Sequence, residues 1–225
     1  MIPVDLIYKL AKTKFGIILC LIGEFGLGAG LLIYGLLLNV HLDKPGVDLN
    51  IADRSTLQLT QHVEFDLEFL FGDYMYTTRR DEVASRSYVI PVLRTDEEGR
   101  RYTSYYLALE AKTAREYDIY DRISDNSYAW ATDETGTVEW APEKEHLNGY
   151  LRLMNFNERR YMKSYLSGMG YSEAEIHKLM VPYVVVTDTE LVGLRSVLGV
   201  FLLAGGVINL IFMIRQSVNN RKNEV

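Results

Sequence analysis

The chain has 225 residues, with 24 Lys and Arg against 30 Asp and Glu, a formal net charge of −6 and a mean hydropathy of −0.04. A hydrophobic share of 48% with 12% aromatics excludes a disordered or low-complexity chain. A single cysteine excludes a disulfide framework and a cysteine-based zinc site, and the acidic balance excludes a nucleic-acid partner.

The near-neutral hydropathy averages two very apolar segments with a polar middle. Residues 1–14, MIPVDLIYKLAKTK, form a basic segment with Lys9, Lys12 and Lys14. Ile2, Leu6, Ile7 and Leu10 recur at helical spacing, which allows an alternative in which this stretch lies along the headgroups. Residues 15–38, FGIILCLIGEFGLGAGLLIYGLLL, are long enough to cross a hydrocarbon core of ~30 Å, which needs ~20 helical residues. Fourteen of them are Leu, Ile or Phe. At roughly −0.3 to −0.6 kcal/mol each, these outweigh one acid, Glu24, at about +3 kcal/mol. Gly28-Ala29-Gly30 has the small-x-small form of a signal-peptide cleavage site. The apolar run continues to Leu38 without a polar region, so an uncleaved anchor is the better reading. A second span covers residues 196–214, SVLGVFLLAGGVINLIFMI, with no charge and one Asn.

Orientation follows from basic residues near the span ends. The three N-terminal lysines and Arg215, Arg221 and Lys222 of the tail 215–225 predict that both termini are cytoplasmic. Residues 39–192 are then extracytoplasmic, with 17 basic and 27 acidic residues against 7 and 3 in the remainder.

The outer region reads as one mixed α+β domain. Val63, Phe65, Leu67 and Phe69 alternate with Glu64, Asp66 and Glu68, which predicts a strand with one wet face. Residues 87–93, SYVIPVL, form another strand, at an edge or bulged because Pro91 has no N–H to donate. Asp96-Glu97-Glu98-Gly99 turns the chain into a partner strand over 102–109. Thr113 and Glu116 form a capping box for a helix to about Ser124, with Tyr117, Tyr120 and Ile123 inward. Trp130 and Trp140 flank Asp133–Gly136, read as a hairpin turn. A strand over 146–154 precedes a helix opening at Asn157, with Tyr161, Met162, Tyr165, Leu166 and Met169 on one face and Gly168 and Gly170 stopping it. Ser172 and Glu175 cap a short helix that ends before Pro182, and 183–186 is a last strand.

This order of elements resembles a set of uncharacterised bacterial two-pass membrane proteins with an extracytoplasmic α+β domain. HVEFDLEFLFGDYMY, SYVIPVL, LNGYLRLM and LSGMGYSEAEI carry the resemblance, over about a third of the chain. It implies the architecture alone.

Few residues carry a chemical signature. His41, His62, His146 and His177 have no ligand spacing, and no HExxH, EF-hand, GxSxG, SxxK or Walker pattern occurs, so no catalytic, cofactor or metal site is assigned. Asp118, Asp121 and Asp125 share a helical face with Arg115 and Arg122 close by, which reads as an ion-paired surface. Of the 16 tyrosines, nine fall between Tyr74 and Tyr128. Tyrosine suits interfaces, and it also suits half-buried strands. The sharpest single residue is Glu24, which shares a stripe with Gly28, Leu31 and Gly35. Ser196, Gly199, Gly206 and Asn209 form a stripe on the second span, with Asn209 about 3 Å from the depth of Glu24 at 1.5 Å per residue. Glu24, Asn209 and Ser196 are therefore the candidate intramembrane polar contacts. Gly23, Gly26, Gly28, Gly30, Gly35, Gly199 and Gly206 are the candidate helix-packing positions. The implied function is a two-pass membrane protein that acts as a binding or scaffolding module, with an acidic, Tyr-rich domain outside. Its partners are the bilayer and either another membrane protein or a second copy. An oligomeric channel or transporter accessory using Glu24, and an envelope enzyme, are the alternatives.

Overall fold

The computed structural model describes residues 14–141, 143–187 and 192–222. The amphipathic reading of 1–13 and the flanking charges Asp188 and Glu190 lie outside these residues. The chain divides into two compact units, one of Met1–Val40 and Glu190–Val225, the other of His41–Thr189.

The first unit holds helices α1 (Lys14–Leu42) and α5 (Val192–Lys222). Each contains a stretch long and apolar enough to cross a membrane, Ile18–Leu42 and Leu194–Arg215. Many of their large side chains stay uncovered by protein: Phe201 and Phe212 are about 70% exposed, and Ile22 and Leu27 above 60%. Continuous exposed apolar surface of this kind marks a face that meets something other than water.

The second unit is an α+β fold with a mixed six-stranded sheet. Its strands are β1 (His62–Leu67), β2 (Phe71–Arg79), β3 (Glu82–Thr95), β4 (Arg101–Ala111), β5 (Glu145–Leu153) and β6 (Met180–Val186). Its helices are α2 (Ala114–Thr132), α3 (Phe156–Gly168) and α4 (Glu173–Leu179). The spatial order is β1-β5-β6-β4-β3-β2, with β4 and β6 parallel and the other pairs antiparallel.

That order puts β1 and β2 at opposite edges, yet only Glu68, Phe69 and Leu70 connect them. Four Cα steps reach at most ~14 Å, whereas five interstrand spacings in a flat sheet span ~24 Å. The sheet is therefore strongly curled, and its edges approach where β1 passes into β2. Val63, Phe65, Leu67, Tyr88, Ile90, Tyr105, Leu107, Leu109, Leu147 and Val185 fill one face, joined by Tyr120 and Ile123 of α2. Met162 and Leu166 of α3 and Ile176 of α4 are buried against the other face. There Tyr106 Oη lies 2.6 Å from Tyr171 Oη.

Both sheet edges are protected against further pairing. Val47 makes a parallel bridge to Val63 outside β1, and β2 carries three register shifts against β3.

The structure corrects several boundaries. α2 continues eight residues beyond Ser124, because the buried Ser127 hydroxyl donates to Ile123 O (2.7 Å) and accepts Leu70 N–H (3.0 Å). Weak helix formers are thus held by a tertiary contact. Asp133–Gly136 ends α2 and is not a hairpin turn, although it does return Trp140 to Trp130 with ring centroids 4.6 Å apart. The cap of α3 is Asn155, two residues before the expected Asn157, with a full capping box to Glu158. Of its expected inner face, Met162 and Leu166 are buried while Tyr161 and Met169 are exposed. Pro91 sits on an inner strand, but β2 pairs β3 only up to Val89, so the missing N–H falls where β3 has β4 alone beside it. The boxes at Thr113 and Ser172 form as expected. The strand β2 had no expectation, since its outward positions break the alternation.

Candidate functional site

The site in the second unit grows from the alternation of β1. Val63, Phe65 and Leu67 point into the core, so Glu64 and Asp66 project to solvent on the opposite face, and Glu68 follows at the strand end. β5 pairs antiparallel with β1 and sets His146 opposite Asp66. The imidazole spans two carboxylates, with Nδ1 2.9 Å from Asp66 and Nε2 3.3 Å from Glu64. These bonds, with Asp66 first, hold the His146 pKa above its usual value. Asp48 and Asn50 complete an open groove of about 490 Å³ with Glu64, Asp66, Glu68 and His146. The Asn50 side chain is anchored by donating to Asp66 O at 2.9 Å.

A second concavity of about 220 Å³ adjoins the groove and shares Asn50, Phe65 and Glu68 with it. Phe65, Leu67, Ile90 and Leu93 give it an apolar floor. Its wall is an aromatic stack: Trp140 lies parallel to Phe69 at 5.3 Å and edge-on to Trp130. Trp140 Nε1 donates to Glu68 at 3.4 Å, and Lys144 pairs with the other carboxylate oxygen of Glu68. The Arg101 guanidinium lies over Trp140, its Cζ 3.4 Å from the ring centre, with no carboxylate partner among the described residues. An apolar floor, a rigid aromatic wall and a few oriented polar groups are the usual make-up of a small-ligand or side-chain pocket. Sequence reasoning did not find Trp140, Arg101, Glu68 or His146 as a set. The wet-face alternation of Glu64, Asp66 and Glu68 was the available signal, but their neighbours come from other strands.

Elsewhere several charges and tyrosines are structural. Asp121 accepts from Arg86 (3.0 Å) and from Tyr88 Oη (2.7 Å), so it bonds across to β3 rather than along its own helix. Tyr88, Tyr105, Tyr106 and Tyr120 are buried, so much of the tyrosine density builds the core, while Tyr76, Tyr102 and Tyr128 are exposed. Burial pushes the Tyr105 hydroxyl up to about 12. Among the described residues no group of His, Cys, Asp or Glu has metal-site geometry.

In the first unit, Asn209 Nδ2 lies 3.1 Å from both carboxylate oxygens of Glu24. The helices meet along Gly28, Gly35, Gly199 and Gly206. A Cβ on Gly199 would lie 2.6 Å from Leu32 N, one on Gly35 would lie 2.8 Å from Ser196 N, and one on Gly206 would lie 3.2 Å from the Phe25 ring. Ser196 thus lines the seam against Gly35. Gly23, Gly26 and Gly30 meet nothing within 4 Å and lie on the far side of α1 from this seam.

The family model described as "Domain of unknown function (DUF8577)" matches residues 9–217, and the chain belongs to that family. No curated protein matches the chain.

Proposed function

We propose that the protein is a two-pass membrane protein with both termini cytoplasmic, holding residues 39–192 outside as a binding or scaffolding module. The observation that carries this reading is the pair of long helices whose apolar side chains remain exposed, bracketing a unit with its own core. A core helix of a soluble protein would have that surface covered. The resemblance to uncharacterised bacterial two-pass membrane proteins agrees with it.

The binding face is the Trp140 cavity with its acidic groove. The groove carboxylates favour binding over hydrolysis: the side chains of Glu64 and Asp66 are 46% and 55% exposed, and His146 already bridges them. General acids in hydrolases sit instead in apolar surroundings. The Glu24–Asn209 contact favours a second reading, an oligomeric channel or transporter accessory, because an acid inside a span is a functional group by default.

Reporter fusions test the reading. A fusion near residue 100 should report an outside location, and one at Val225 a cytoplasmic one. A cytoplasmic signal from residue 100 would overturn it.

A further inference from the structure

A cavity of about 140 Å³ opens at the end of α1, separate from the Trp140 site. Its polar lining is His41, Lys44, Gln58, Gln61 and His62, and among the described residues no carboxylate lines it. That is unusual in a region whose 27 acidic residues outnumber 17 basic ones. The acidic groove beside His146 shows the opposite composition within the same fold.

The lining is held in place by the backbone around it. Lys44 N–H donates to His41 O at 3.1 Å, which caps a free carbonyl at the C-terminal end of α1. Lys44 O lies 2.6 Å from His62 Nδ1, and His62 Nε2 lies 3.1 Å from Asn148 Oδ1. Val47 N–H donates to His62 O at 3.0 Å, closing the segment onto β1. The Lys44 ammonium itself makes no ion pair among the described residues. The Thr60 hydroxyl donates to Leu59 O at 2.6 Å, so its oxygen accepts from His41 Nδ1, also at 2.6 Å. The outer nitrogen of His41, Nε2, is left without a hydrogen-bond partner among the described residues.

Depth supplies the second argument. His41 stands in the last turn of α1, and Leu42 ends the apolar stretch. If that stretch crosses a bilayer, its end lies at headgroup level, where phosphates are concentrated. The negative end of the helix dipole opposes an anion here, and the Lys44 charge and cap act against it.

We propose that this cavity seats the phosphodiester of a lipid headgroup, with Lys44 as its counter-charge. The proposal rests on the two-pass reading above. It favours anionic glycerol headgroups, because a choline ammonium would face Lys44. The volume admits one headgroup fragment and is smaller than a drug-sized site of ~300 Å³.

The test uses the full chain reconstituted in vesicles of phosphatidylcholine, with or without a minor share of phosphatidylglycerol. Resistance to carbonate extraction reports integration, and native mass spectrometry reports the lipid retained. The wild type should retain phosphatidylglycerol over phosphatidylcholine, and Lys44→Gln should lower that preference about five-fold, the effect of one basic residue at a membrane surface. Lys163→Gln, an exposed lysine on α3, should leave it unchanged. Equal retention of the two lipids, or an unchanged preference in Lys44→Gln, overturns the proposal. So does a response of Lys44 to inorganic phosphate without any lipid preference. A chain that fails to integrate refutes the two-pass reading instead.

Discussion

The buried ion pair between Arg152 and Glu158 makes the sharpest test of how the second unit is held together. Glu158 is 3% exposed in its side chain and Arg152 21%. The contact is bidentate, at 2.8 Å and 2.5 Å, and Arg152 also reaches Glu110 at 3.5 Å. Glu158 has a second task, since it accepts the Asn155 N–H at 2.7 Å and completes the cap of α3. Breaking a buried pair by removing one partner costs about 3–5 kcal/mol. Glu110 and partial solvent access leave Arg152 partly compensated, which places Glu158→Leu at the low end. The lost cap adds about 0.5–1 kcal/mol. The expected loss is about 3–4 kcal/mol, or a Tm lower by about 6–16 °C for a domain of this size. Arg152→Met should cost as much or more, because it strands a carboxylate that is deeper than its partner. The double variant Arg152→Met/Glu158→Leu should fall within about 1 kcal/mol of wild type, since well-packed apolar residues replace such pairs at little cost. Urea unfolding of residues 39–192, followed by circular dichroism, measures all four corners of the cycle. A coupling energy below about 0.5 kcal/mol would show that packing around α3, and not the ion pair, sets this stability.

The other predictions concern three separate contacts. In the proposed bilayer setting, Glu24→Gln keeps the bond to Asn209 and should be nearly silent in assembly and phenotype, while Glu24→Leu weakens helix association by ~0.6–2 kcal/mol. A Gln variant as impaired as Leu, with assembly intact, would favour the transport reading. Asp66 and Glu64 raise the His146 pKa, so its contribution to stability is fully present below the unfolded value of 6.5 and lost as pH rises through the folded value. His146→Gln should therefore destabilise the domain at pH 5.5 and match wild type at pH 9, measured by urea midpoints, and equal shifts at both values would refute the argument. Gly149→Ala should destabilise the sheet severely, by more than about 2 kcal/mol, because its Cβ would strike Val186 O and lie 3.0 Å from Val186 C on the neighbouring strand. A loss under 0.5 kcal/mol, about the ordinary scatter of surface changes, would mean that β5 and β6 separate easily.

Local interactions made much of the fold legible. The capping boxes at Thr113 and Ser172 were readable because each lies within four residues, and the strand β1 was readable because period-two burial is written directly in Val63, Phe65 and Leu67. Where a distant contact intervened, local reading stopped short. The end of α2 was misplaced because the next turn is held by Ser127 bonding to Leu70, a residue 57 positions away. β2 was missed because an edge strand with bulges keeps no regular burial pattern. The Trp140 cavity draws on β1, β3, β4 and the segment after α2, so no window of the chain contains it.

By itself the sequence determined composition and periodicity: two apolar helices, an acidic α+β region between them, and a glycine stripe and polar residue on each helix. These depend on neighbours within one or two turns, or on summed hydropathy, and so survive without knowledge of the fold. Only the tertiary structure decided which glycines form the seam, since Gly28 and Gly30 are indistinguishable in type and differ by their angle around the α1 axis. It also decided that the sheet curls, because a three-residue link between opposite edges constrains the chain only once the strand order is known. That curl brings the end of β1 to Ile90 and Leu93 of β3, and it places a positive guanidinium, an aromatic wall and the Glu68 carboxylate around one opening.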